Sequence, residues 1–142
     1  MGPTLQVTFD ANDVNRLVDF WAEALGYERQ PPPPGFASWE DFAREHEIPE
    51  DQWDGWGALI DPDGQRPRLF FQRVPEGKTA KNRVHLDVNV GAGLDGEERT
   101  ARVKAEADRI EKLGATRQRE TAERGEFLIV MQDPEGNEFC LQ

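Results

Sequence analysis

The order of local signals, more than any single motif, constrains what this chain can fold into, because one series of signals occurs twice. Over residues 5–74 a strand leads to a helix that stops at Leu25-Gly26. Two strands joined by Asp61-Pro62-Asp63-Gly64 follow, and the segment closes on Leu69-Phe70-Phe71-Gln72. Over residues 83–142 the series returns with Leu113-Gly114, Asp133-Pro134-Glu135-Gly136 and a closing Phe139-Cys140-Leu141-Gln142. A lone Leu-Gly helix stop or one Asp-Pro-x-Gly turn is common, but their ordered recurrence marks an internal repeat. The expectation is an α+β fold of two βαβββ modules within one domain, 1–142.

The elements follow from side-chain periodicity. Leu5, Val7 and Phe9 alternate with Gln6, Thr8 and Asp10, which suits a strand with one apolar and one polar face. Asn12 or Asp13 can cap the next helix, where Val14, Leu17, Val18, Trp21 and Leu25 share one face and Gly26 supplies the stop. In the second segment Val84, Leu86, Val88 and Val90 alternate with His85, Asp87 and Asn89. A helix from about Glu97 to Leu113 turns Val103, Ala107, Ile110 and Leu113 inward. Strands then run from Phe127 to Met131 and from Glu138 to Gln142. Asp61-Pro62-Asp63-Gly64 has the residues of a type I turn, with Asp first, Pro second and Gly fourth.

Between about residues 30 and 56 the periodicity lapses. Pro31 to Pro34 favour polyproline II geometry, and Ser38 to Glu47 suits a short acidic helix. This insertion carries Trp39, Trp53 and Trp56, three of the four tryptophans. These tryptophans and Phe36, in a Pro-rich acidic stretch, need something to cover, so the tryptophans are candidates to roof a pocket and stack on a ligand.

Composition narrows the function classes. The 28 acidic against 17 basic residues give a net charge of -11 over 142 residues, without the clustered Lys and Arg that nucleic acids or anionic membranes require. Cys140 is the single cysteine, so no intramolecular disulfide marks an oxidising compartment. The first residues have neither a basic nor an apolar leader pattern. A cytoplasmic protein without nucleic-acid or membrane partners is the expectation.

On these residues the chain resembles the vicinal oxygen chelate superfamily of glyoxalase I, bleomycin-resistance proteins and extradiol dioxygenases. The resemblance is carried by Asp19-Phe20-Trp21 with Leu25-Gly26-Tyr27, by Asn82-Arg83-Val84-His85-Leu86-Asp87-Val88, and by Asp133 through Cys140. Phe71 to Pro75 followed by Lys81-Asn82-Arg83 is similar to glyoxalase-like members of that group. The resemblance implies a cupped mixed sheet around a pocket between the modules, lined from the first, fourth, fifth and eighth strands. It also implies homodimerisation and, in catalytic members, a divalent metal (Zn, Ni, Mn or Fe) that takes two vicinal oxygens of the substrate.

Carried over by position, Gln6 takes the first-strand metal position and His85 the fifth-strand one. The fourth-strand position falls on Phe70 or Gln72, of which only Gln72 offers an oxygen. The eighth-strand position falls on Cys140, where a carboxylate is usual. Glu138 shares that face two residues earlier, and Asp87 shares the face of His85. The metal candidates are therefore Gln6, Gln72 and His85, with His85 and Glu138 as acid/base candidates. The ligand-binding candidates are Thr8, Trp39, Trp53, Trp56, Phe70, Asp87 and Cys140. Two function classes follow. One is a protein binding a small aromatic or hydrophobic molecule with a degenerate or absent metal site, which the cysteine favours. The other is a metal-dependent lyase, isomerase or dioxygenase acting on a small oxygenated substrate.

Overall fold

The alternation that opens the chain is realised as β1, Gln6–Ala11, and the helical spacing after it as α1, Val14–Leu25. Asp13 rather than Asn12 caps α1, its carboxylate accepting the Arg16 N–H. Asn12 instead donates to the Val74 and Glu76 carbonyls and so ties the start of the helix to the end of the module. Gly26 ends α1 at φ 67°, a left-handed geometry that costs glycine little. β2 (Glu28–Arg29), α2 (Trp39–Glu45), a 3₁₀ turn (Glu50–Gln52), β3 (Trp56–Ile60) and β4 (Arg68–Arg73) follow. The sheet order is β1-β4-β3-β2, with β1 parallel to β4 and the other pairs antiparallel.

α1 buries Val14, Leu17, Val18, Phe20, Trp21 and Ala24 on one side of this sheet, against Leu59, Leu69 and Phe71. Full burial of each large apolar side chain contributes roughly 1.5–3 kcal/mol. The helix comes so close to β3 that a Cβ on Gly57 would lie 2.9 Å from the Val18 side chain, which leaves glycine as the residue that fits. Phe9 stacks on Phe71, with ring centroids 5.0 Å apart, and tilts against Trp21. The side chains of Gln6, Thr8, Asp10, Arg68, Phe70 and Gln72 alternate with these and occupy the opposite, open face.

The computed structural model describes residues 1–142, and contacts divide them into two compact units, Met1–Gly77 and Lys78–Gln142. The second unit repeats the layout with β5 (Leu86–Val88), α3 (Gly96–Glu111), β6 (Thr116–Glu123), β7 (Glu126–Gln132) and β8 (Glu138–Leu141). Its order is β5-β8-β7-β6, with β5 parallel to β8. Val103, Ala107 and Ile110 of α3 are buried, while Leu113 lies beyond the helix and is half-buried. The strand expected from Val84 to Val90 is regular only over three residues, so His85 stands just before β5 and Val84 is 83% exposed.

Both Asp-Pro turns close in the same way. Gly64 N–H donates to the Asp61 carbonyl and Gly136 N–H to the Asp133 carbonyl, at 3.0 and 2.9 Å. Asp61 and Asp133 are the polar residues that the chain buries, and each carboxylate gathers the N–H groups of its own loop. Asp61 also accepts from the Arg66 guanidinium at 2.8 Å. That bond, with the N–H groups of Arg66, Gln65 and Asp63, outweighs burial and holds the carboxyl well below the usual carboxylate range. No helix is long and apolar enough to cross a membrane.

Candidate functional site

The open face of the first sheet is organised by Arg68. Paired opposite Gln6 in the β1–β4 register, it donates from Nη1 to Gln6 Oε1 at 2.7 Å and from Nε to Gln30 Oε1 at 2.6 Å. The guanidinium stands 5.4 Å from the centre of the Phe70 ring. Thr8 lies opposite Phe70, and Gln72 donates from its amide nitrogen to Asp10 at 2.9 Å. The Gln6 oxygen, the atom a metal would need, thus already faces a permanent positive charge. The donor set of this face does not suit a divalent cation, because an ion on Gln6 would stand beside the guanidinium.

The second sheet gathers a different set. Asp87 pairs with Cys140, and His85 Nε2 lies 3.2 Å from Asp87 Oδ1. The ligand atoms of His85, Asp87 and Cys140 all fall within 4.8 Å of one another. An imidazole, a carboxylate and a thiol fit a zinc-type ion with one open position, provided the thiol gives up its proton on binding. The free thiol is disposed to keep that proton. Burial first, and then the negative charges of Asp87 and Glu123, push its pKa up, with a hydrogen bond to Asp87 adding to the effect.

Glu138 sits two residues from Cys140 on the same face, but its carboxylate is engaged. Lys78 Nζ lies 3.0 Å away and the Asn82 N–H donates to it at 3.0 Å. Burial pushes this carboxyl up, and Lys78 with the Asn82 and Glu138 N–H groups outweighs that effect, so it titrates below its ordinary value. A carboxylate held this way is a weak proton acceptor near neutral pH.

The insertion tryptophans come together in the first unit. Trp39, Trp53 and Trp56 line a cavity of about 280 Å³ with Asn15, Arg29, Gln30, Glu40, Asp54, Gly57 and Ala58. Ser38 caps α2 by accepting the Asp41 N–H, which fixes Trp39 at the first position of the helix. The Trp39 indole N–H donates to the Gln30 carbonyl and that of Trp53 to the Ile48 carbonyl. Trp39 meets Trp56 edge to face, with centroids 4.8 Å apart. Arg73 clamps the far end of the insertion through the Asp54 carboxylate and the Asp51 carbonyl.

Thus the structure joins His85, Asp87 and Cys140 in one group and the three tryptophans in another, while Gln6, Thr8, Phe70 and Gln72 share the open face of the first sheet. Arg68 was missed from sequence, although its alternation with Phe70 and Gln72 places it on that face. Arg29, Glu40 and Asp54 at the cavity were also missed, and no local pattern marks them.

Solved structures share this fold over almost the full chain. The fosfomycin resistance protein FosX of Listeria monocytogenes, solved with Mn(II) and a dihydroxypropylphosphonic acid, superposes with a TM-score of 0.64 at 15% identity. The match covers 100% of this chain and 90% of that one. A possible glyoxalase from Bacillus cereus gives 0.61 at 12% identity, covering 100% and 99% of the two chains. A lactoylglutathione lyase from Agrobacterium tumefaciens gives 0.58 at 14% identity, covering 99% and 92%. Two repeated βαβββ units are the fold this chain shares with these neighbours. The chain belongs to the glyoxalase-like domain family, whose profile matches residues 6–142. No curated protein sequence matches it significantly.

Proposed function

We propose that this glyoxalase-like protein binds a small aromatic or hydrophobic molecule, and that its ligand seat is the tryptophan-lined cavity of the first unit. The observation that carries this reading is the convergence of Trp39, Trp53 and Trp56 on one cavity. A volume of about 280 Å³ lies at the lower edge of the range for small-molecule pockets, roughly 300–1,000 Å³, and suits a one-ring ligand. Arg68 on Gln6, Lys78 on Glu138 and the protonated Cys140 thiol all weigh against the superfamily's metal-assisted proton transfer here. Three of the four tryptophans line the cavity and the fourth, Trp21, is buried in the core, so intrinsic fluorescence reports on the seat. Titration with benzyltrimethylammonium, benzyl alcohol and benzoate should give a saturable change with at least one probe, absent in Trp56→Ala. If none of the three produces one, the reading is wrong.

A second reading rests on the His85, Asp87 and Cys140 group. These residues would hold a zinc-type ion, which when bound supplies Lewis-acid polarisation of a substrate oxygen. Under this reading the protein is a metal-dependent enzyme acting on a small oxygenated substrate. Calorimetric titration of chelator-stripped protein with zinc should then show about one equivalent bound, lost in His85→Ala and weakened at least about tenfold in Cys140→Ser. No heat of binding would remove it.

A further inference from the structure

The charge and orientation of the groups around the tryptophan cavity say what kind of molecule belongs there, and this step rests on the reading of that cavity as the ligand seat. We infer that the seat selects organic cations, a protonated or quaternary amine carried on a compact apolar or one-ring body. The indole N–H groups of Trp39 and Trp53 are already spent on the Gln30 and Ile48 carbonyls. What these two residues offer a guest is ring surface, whose negative quadrupole attracts cations, with Trp the best of the aromatic side chains. Trp39 and Trp56 stand at 89° to one another and form a corner with two aromatic walls. Trp53 already draws a cation to its ring: the Arg44 guanidinium, from a residue outside the cavity lining, lies 5.0 Å from the ring centre.

The charged groups at the cavity point the same way. Arg29 lines it, but its guanidinium is bound to Asp19 at 2.7 Å and to Asn15. Asp54 is bound to Arg73 at 2.6 Å. Glu40, on the first turn of α2, is the lining carboxylate with no ion pair, and it faces a guest with an uncompensated negative charge. The surrounding segment strengthens that field, since residues 30–56 carry seven carboxylates against Arg44 as the single Lys or Arg. An anionic guest would meet both this field and the ring quadrupoles, and a neutral one would gain from apolar contact alone.

Three probes that share a benzyl or phenyl body and differ in charge separate these cases. In tryptophan fluorescence and calorimetry at low salt, benzyltrimethylammonium should bind at least about tenfold more tightly than benzyl alcohol, and benzoate more weakly still. Glu40→Gln, an exposed change that keeps α2 and its cap, should weaken the cation about threefold to tenfold and leave benzyl alcohol unchanged. Added salt should weaken the cation in wild type more than in the Glu40→Gln variant. Equal affinity for the cation and the alcohol would overturn the inference while leaving the tryptophan seat in place. Tighter binding of benzoate would also overturn it and make Arg29 the governing charge. No saturable response to any of the three would end both readings.

Discussion

In the first unit the open face carries Gln6 beside Arg68 and Thr8 beside Phe70. In the second, Asp87 lies beside Cys140, and Glu138 occupies the place two residues earlier that Arg68 holds in β4. Apart from the insertion between β2 and β3, the two modules share their layout. Each module closes on a glutamine that donates to a residue in or just after the first strand, Gln72 to Asp10 at 2.9 Å and Gln142 to Asn89 at 3.0 Å. Each helix covers the other side of its sheet with a buried apolar stripe. Within these paired first and last strands the divergence is thus confined to side chains that point away from the helix. One face has acquired a fixed cation, held by two glutamines, and the other an imidazole, a carboxylate and a thiol. Residues on the helix side are constrained by packing, which leaves the open side free to change its chemistry without changing the sheet.

The turns give the largest expected effect. Asp61→Asn leaves the Arg66 guanidinium without its carboxylate, whereas Asp133→Asn leaves a loop whose side-chain donor, the Asn137 amide, is neutral. The first substitution should lower Tm by at least about 5 °C and by more than the second. Equal losses would break the distinction. The pH dependence has a definite sign. The Asp61 carboxyl titrates below its unfolded value in the native state, so its contribution is complete above the ordinary carboxylate pKa of about 4 and fades as pH falls further. Thermal scans from pH 7 down to pH 2 should show this acid limb in wild type and a flatter one in Asp61→Asn.

A smaller effect concerns the thiol of the second face, for which Phe70 is the inert counterpart in the first. Asp87→Asn removes a negative charge and an acceptor that hold the Cys140 proton. Thiol labelling at pH 8 should accelerate about threefold to tenfold, and an unchanged rate would show that burial alone sets the reactivity.

Much of this arrangement is legible in the sequence because glycine and aspartate mark it. Gly26 has to adopt a left-handed conformation, and both Asp-x-x-Gly turns recur in register, so the two modules are readable from one chain. β6 was not readable: Thr116 to Glu123 has no apolar alternation, and it is a strand because β7 supplies its backbone partners. The same limit applies to the sites. The polar face that bears Gln6, Thr8 and Gln72 follows from period-two alternation, but the guanidinium on Gln6 is a contact across 62 residues of chain. The tryptophans suggested a ligand by their abundance in an acidic segment. That they converge on one cavity depends on the Ser38 cap, the Gln30 and Ile48 carbonyls and the Arg73 clamp, each set by tertiary structure.

Parallel pairing of the first strand with the last has a consequence for synthesis on the ribosome. β1 acquires its hydrogen-bonding neighbour only when Arg68–Arg73 has emerged, and β5 only when Glu138–Leu141 has. Until then α1 and α3 have half-built sheets to cover, and a strand edge waits exposed in each nascent module. The acidic segment between β2 and β3 lengthens that wait in the first module. Its carboxylates also give the unfinished chain a charge that discourages association with its neighbours while the closing strand is being made.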